Sequence, residues 1–289
     1  MKFTNKRPQF EHLKNKWTAR HKTIEDNFWD SHSHSLKQLA IGSLGGLLLL
    51  SSPGAQPATS HLIVSRDDVL KGYDKNVLLA QELNQEVPQE MRPLNDDEEK
   101  NIGEILSKNF GFKVSAQINN IKLNRSYGVI GGEQHLYRYP GDNIYAHADN
   151  TVDWAKYSGA GIAPGLGAWG HFAPSKEEFT EEDKLRERYY LAVQTFLVPG
   201  YAENVSKYRD FFKYRKMLVV NPKTGQAVVA VIGDAGPAEF TGKHLGGSPE
   251  VMDYLGLAEG PRKGPVLFFF IDDEKNEVPL GPLKIRNEA

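Results

Sequence analysis

The stretch from Val219 to Asp272 constrains this chain more than any other, because its turn residues fix where the apolar runs begin and end. Lys216 to Val220 is a short, nearly continuous apolar run. Asn221-Pro222-Lys223-Thr224-Gly225 follows, with proline and glycine placed as a turn needs them. Gln226 to Ile232 is then a run of Ala, Val and Ile, which suits a strand buried on both faces. It ends at Gly233-Asp234-Ala235-Gly236-Pro237, so Asp234 leaves the strand among glycines and a proline. Ser248-Pro249-Glu250 is a helix start: a hydroxyl cap, proline in the first turn, and an acid near the positive end. Val251, Met252 and Leu255 supply an apolar face and Gly256 a stop. Pro265 to Ile271 is a last, very apolar strand. The pattern predicts strands over 216–221, 226–233 and 265–271, with a helix from Ser248 to Leu255.

Ahead of this unit the chain changes character twice. Residues 1–37 carry eight Lys/Arg against four Asp/Glu, and Leu39 to Leu50 is then a run without charge. Small, helix-breaking residues follow from Ser51 to Ala58. A basic segment, a short apolar core and a small-residue stretch have the order of a secretory signal. The run is shorter than the roughly 20 residues a spanning helix needs. Residues 1–58 are therefore expected to be a signal peptide or an N-terminal membrane anchor, with residues 39–52 as the attachment, and the protein to be exported to the cell envelope or beyond. Lys+Arg total 35 against 37 Asp+Glu, so there is no basic field and no nucleic-acid partner is expected. The absence of cysteine excludes disulfides, thiolate metal sites and a cysteine nucleophile.

Residues 59–125 are expected to form a small helical and linker module. Apolar spacing predicts a helix within Asp67 to Leu83, then a linker over Glu86 to Asp97. Asn95 caps a second helix with Ile102, Ile105, Leu106 and Phe110 on one face and Gly111 as its end. Phe112 to Leu123 alternates as a half-buried strand does. Tyr127 to Trp169 is rich in glycine and alanine among Tyr, His, Asp and Glu, a composition of functional loops or tight barrel corners. Thr180 to Asp183 caps a helix whose stripe is Leu185, Tyr189, Ala192, Val193 and Phe196, stopped by Pro199-Gly200. In Tyr201 to Arg215 aromatic and basic residues interleave, which suits either stacking on sugar rings or aromatics packed inward under solvated Lys and Arg.

The words V-x-N-P-x-T-G-x-x-V-V-x-x-I-x-D-x-G-P, then G-K, then G-S-P-x-x-M-x-x-L-G, then G-P-V run from Val219 to Val266. In that order they resemble the double-psi β-barrel shared by expansins, rare lipoprotein A and the C-terminal domain of membrane-bound lytic transglycosylase A. The resemblance extends further toward the N-terminus if Gly159 to His171 forms the barrel's first strand and loop. It implies an α+β protein, mainly β with flanking helices: a six-stranded double-psi β-barrel with insertions over 126–289, behind the small helical module. It also implies bacterial cell-wall business, binding peptidoglycan or a related glycan. The alternative is cleavage of a glycosidic bond with Asp234, which falls on the family's aspartate before Gly-Pro, as general acid. The family's second aspartate, two residues before the capping serine, is Gly246 here.

Asp234, His244 and Glu239 are thus the candidate catalytic residues. Glu133, Gln134, His135, Trp169, His171 and Lys243 are the candidate glycan contacts. Asp234 has a plainer role open to it, as an acceptor of backbone N–H groups pinning the Gly236-Pro237 turn. His135, His147, Asp149, His171 and His244 bring donors that suit zinc, so a zinc-dependent hydrolase is a third reading. No pair of them has a tight ligand spacing, and no metal or other cofactor is expected.

Overall fold

The computed structural model describes residues 75–285. The expected signal or anchor, and the first part of the helix expected within 67–83, lie outside them. Among the described residues no helix is long and apolar enough to cross a membrane.

Two helices lead in, α1 (Lys75–Glu86) and α2 (Asp96–Phe110). Asn95 closes a capping box: its Oδ1 accepts from the Glu98 N–H at 2.9 Å, and Glu98 accepts from the Asn95 N–H at 2.8 Å. The helix buries Ile102, Leu106 and Phe110 and ends at Gly111, as its spacing predicts. The alternating segment 112–123 is not one strand but three short ones: β1 (Val114–Ser115), β2 (Gln117–Ile118) and β3 (Ile121–Lys122). Asn119 and Asn120 take left-handed backbone (φ 50° and 61°), the geometry of a tight hairpin, and fold β2 onto β3.

The remaining elements in chain order are β4 (Tyr127–Gly132), α3 (Thr151–Tyr157), α4 (Glu181–Arg188), β5 (Tyr190–Val193), α5 (Val205–Phe212), β6 (Lys216–Val220), β7 (Ala227–Ala235), β8 (Leu245–Gly247), α6 (Pro249–Tyr254), β9 (Lys263–Ile271) and β10 (Gly281–Leu283). Six of these strands close a ring: β4 pairs β8, β8 pairs β5, β5 pairs β7, β7 pairs β6, β6 pairs β9, and β9 returns to β4. Two contacts, β4 with β8 and β5 with β7, are parallel and the other four antiparallel. The protein is therefore α+β, with a closed six-strand mixed barrel in its C-terminal part. The three strands and the helix predicted from Val219 to Asp272 are all in place, with Ser248 capping α6.

Two further expectations are corrected. The helix from Thr180 does not run to Phe196; it stops at Arg188, and Tyr190–Val193 is a barrel strand. The helical spacing of Leu185, Tyr189 and Ala192 is coincidental with a run that is buried at every position from Tyr190 to Val193. As a strand that run hydrogen-bonds to β7 and β8 at once and closes the ring, which no helix there could do. Nor is Gly159 to His171 the first barrel strand. Tyr127–Gly132 is, while the later segment forms only single bridges, His135 to Ile162 and Gly167 to Gly170.

Alternation along the strands sorts the apolar residues into two layers. Ile130, Leu191, Val193, Met217, Val219, Val228, Ala230, Ile232, Leu245, Val266, Phe268 and Phe270 come from all six strands and fill the interior. Trp169, Phe212, Val251 and Met252 pack onto the same cluster. The alternate residues Leu218, Val220, Val229, Leu267 and Phe269 face outward and pack against Leu79, Leu83, Ile102 and Leu106 of α1 and α2. The helical segment thus shares a core with the barrel wall.

Candidate functional site: two carboxyl groups on the barrel wall

Strand register places Asp234. Leu191 pairs with Ile232 but Ala192 pairs with Asp234, so Gly233 is an extra residue in β7 and the strand's facing changes there. Ala192 also pairs with Gly246, and Gly246 with Gly131. Asp234, Ala192, Gly246 and Gly131 therefore form a row across β7, β5, β8 and β4, on the face opposite Leu191, Val193 and Leu245. Two strand spacings separate Asp234 from Gly246, about 10 Å between Cα atoms. The floor between them is made of small residues.

Asp234 Oδ1 accepts from the Ala168 N–H at 2.6 Å and from the Ala235 N–H at 2.8 Å. Burial pushes its carboxyl above the usual aspartate range, and those two bonds offset only part of that. The plainer role is thus real, since Oδ1 does pin the chain. The raised proton affinity is an additional property that pinning does not require.

At the other end of the row, Glu133 lies over Gly246. A Cβ built on Gly246 would sit 2.5 Å from both Cγ and Oε1 of Glu133, so the absent side chain at 246 makes room for this one. Lys243 reaches across β4 to Glu133 Oε1 at 2.9 Å and to the Gly132 carbonyl at 3.1 Å. Its aliphatic stem fills the space a side chain on Gly131 would need, 2.7 Å from that Cβ position. Gln194, buried, donates to the carbonyls of Pro237 (3.0 Å) and Lys243 (3.3 Å), tying the end of β7 to the start of β8. His244 Nδ1 accepts from the Val129 N–H at 3.0 Å, and burial, helped by Arg125, holds its pKa below the ordinary value. Glu239 is exposed, beside Phe240 at 93% exposure. Gln134 is exposed and donates to the Ala160 carbonyl, and its own carbonyl accepts from the Tyr190 hydroxyl.

Trp169 is buried, its Nε1–H donating to the Ile232 carbonyl at 3.0 Å. Arg209 of α5 lies over its ring at 5.7 Å and donates to the Ala168 carbonyl at 3.1 Å. A cavity of about 390 Å³ opens there, lined by Trp169, Val205, Ser206, Arg209, Asp210 and Lys213. Ala168 links this cavity to Asp234 through its amide. The aromatic and basic stretch 201–215 accordingly does both things its composition allows: Phe212 is buried, while Arg209 and Lys213 face the cavity. His171 is half-buried.

His135 does not join these residues. It is fully buried with His147 and Glu187, behind the loop that follows β4. His135 Nδ1 is 3.1 Å from Glu187 Oε1, and Arg138 Nε donates to Glu187 Oε2 at 2.9 Å. His147 Nε2 meets Asp142 Oδ2 at 2.8 Å. Burial opposes ionisation of Glu187, but its bonds to His135 and His147 and the charge of Arg138 win and hold it well below the usual range. Glu250 on α6, buried and close enough to feel the Glu187 charge, is pushed up to about 7 by that burial and repulsion.

Gln194, Arg138 and Glu187 are not singled out by the sequence, and Ala192 is assigned there to a helix stripe rather than to this row. Glu187 sits in an ordinary run of charged residues, Lys184-Leu185-Arg186-Glu187-Arg188, and its partners lie 49 and 52 residues away. A readable signal existed only for β4, where Gly128, Gly131 and Gly132 interrupt Tyr, Val and Ile in a way that invites close approach by other groups. Fold and site together define a closed, mixed six-strand barrel with two carboxyl groups, Asp234 and Glu133, at the ends of a row of small residues on its wall. No family model, no curated protein and no solved structure matches the chain.

Proposed function

We propose that this is an exported cell-wall protein of the double-psi barrel type, which holds peptidoglycan or a related glycan in the groove between Asp234 and Glu133. The carrying observation is the row Asp234–Ala192–Gly246 with Glu133 folded over Gly246. It sets two carboxyl groups on one face of the barrel, at the ends of a floor of small residues. Hydroxyl-rich ligands are bound by such acceptors, and Lys243 adds a cationic group alongside. The cavity at Trp169 and Arg209 extends the surface beside Asp234.

A second reading, cleavage of a glycosidic bond, draws on one further observation. Burial raises the pKa of Asp234, the direction a general acid needs, and Glu133 supplies a carboxylate where Gly246 lacks one. Incubating the purified protein with peptidoglycan sacculi separates the two. Pelleting with the sacculi and no soluble fragments is expected of a binder. Fragment release that Asp234→Asn reduces about 10²-fold or more identifies the acid. Protein that neither pellets nor releases fragments ends both readings.

A further inference from the structure

We infer that His135, His147 and Glu187 form a binding site for a divalent cation of the zinc class, buried beside the barrel and structural in role. All three side chains are buried, and one ligand atom from each lies within 4.8 Å of the others. They come from three separate places: the loop after β4, the short 3-10 turn Ile144–His147, and the last turn of α4.

The donor geometry fits. His135 Nδ1 lies 3.1 Å from Glu187 Oε1, and His147 Nδ1 lies 3.3 Å from Glu187 Oε2. Bonds of 2.0–2.1 Å at a tetrahedral ion put neighbouring ligand atoms about 3.3–3.4 Å apart, and each imidazole nitrogen is near that spacing from one oxygen of the same carboxylate, His135 from Oε1 and His147 from Oε2. Two nitrogens and a carboxylate oxygen are a zinc donor set, whereas magnesium and calcium take oxygen almost throughout.

The surroundings point the same way. Asp142 Oδ2 holds His147 Nε2 at 2.8 Å, and Asp142 is itself fixed by the N–H groups of Arg138 and Asn143. A carboxylate behind a histidine orients the imidazole and directs its other nitrogen to the ion. That other nitrogen, His147 Nδ1, faces Glu187 Oε2 at 3.3 Å yet is buried without a hydrogen bond of good geometry. Buried polar atoms are ordinarily satisfied, so an imidazole nitrogen left this way between a carboxylate and a second histidine needs an explanation. Arg138 does not block the site. Its Nε and Nη2 lie on Glu187 Oε2 and its Nη1 on the Ala146 carbonyl, so Oε1, which also accepts a long bond from the Leu136 N–H at 3.3 Å, keeps a lone pair toward His135. An ion here would staple the two ends of the insertion between β4 and β5 to its middle, where the three ligands are buried.

The test uses the full chain, stripped with chelator and titrated with zinc by calorimetry, with cobalt as a spectroscopic probe. One equivalent of zinc, a rise in Tm on binding, and the visible spectrum of a tetrahedral cobalt site are expected. His147→Ala and Glu187→Gln should each weaken binding at least tenfold, and Asp142→Asn about 10-fold or more as an orienting residue. His171→Ala with His244→Ala should leave binding unchanged. If His147→Ala fails to fold, the wild-type titration and Glu187→Gln carry the test. No zinc binding by the wild type overturns the inference. Zinc binding that survives both Glu187→Gln and Asp142→Asn also overturns it, because the ion is then held elsewhere in the chain.

Discussion

The barrel interior and the cluster around Glu187 are both fully buried, yet opposite forces hold them. The interior is filled from six strands by Val, Leu, Ile, Met and Phe, and removing water from those surfaces is its stabilisation. The Glu187 cluster puts charge where water is absent, and it is tolerable only because Arg138, His135 and His147 meet the carboxylate from three sides. An apolar core degrades gradually as atoms are removed, whereas a buried ion set fails when one member is lost. The row at Asp234 lies between these extremes. Asp234 is half-buried, and its desolvation is only partly offset.

The sharpest way to break this contrast is Glu187→Leu, which strips the counter-charge from buried Arg138. It should cost about 3–5 kcal/mol, read from urea unfolding. A loss below 1 kcal/mol would mean that the cluster is not holding the insertion between β4 and β5 together. Ile232→Val, in the interior, should cost only about 0.5–1.5 kcal/mol. That cost should be independent of pH, since no titrating group is touched.

Asp234→Asn gives the smallest effect, with a sign that distinguishes its roles. A carboxyl whose folded pKa is raised prefers to be protonated in the fold. Wild-type stability should therefore fall as pH rises from the ordinary aspartate pKa of 3.8 through the higher folded value, then level off. Asparagine keeps an Oδ1 for Ala168 and Ala235 and carries no charge. The variant should match the protonated wild type at acid pH and melt slightly higher at neutral pH. A variant less stable by about 1 kcal/mol at neutral pH would make Asp234 a charge-dependent turn pin and nothing more.

What could be read from residues alone follows the same division. Strands β6, β7 and β9, the capped α6 and the Asn95 cap are legible because their signals are local: apolar runs, turn residues and caps within a few positions. Tyr190–Val193 was misread because buried strands lack alternation, and an amphipathic helix runs straight into it. The replacement of a side chain at 246 by Glu133 was illegible for a different reason. It depends on Gly131 and Gly246 being paired in parallel strands separated by more than a hundred residues, which no window along the chain contains. His135 shows the converse. Its composition-rich loop marked it as a ligand contact, but tertiary packing turns it inward to Glu187.

The most direct test of the groove is to titrate isotopically labelled protein with soluble peptidoglycan fragments and follow backbone amide shifts. The expected response is concentrated at 131–134, 192–194, 234–237 and 243–247, with smaller shifts at Trp169 and Arg209. It should be lost in the Asp234→Asn, Glu133→Gln double variant. Saturable binding whose shifts fall instead on α1, α2 or β10, or no shifts at millimolar fragment, would contradict the assignment of this groove to a cell-wall glycan.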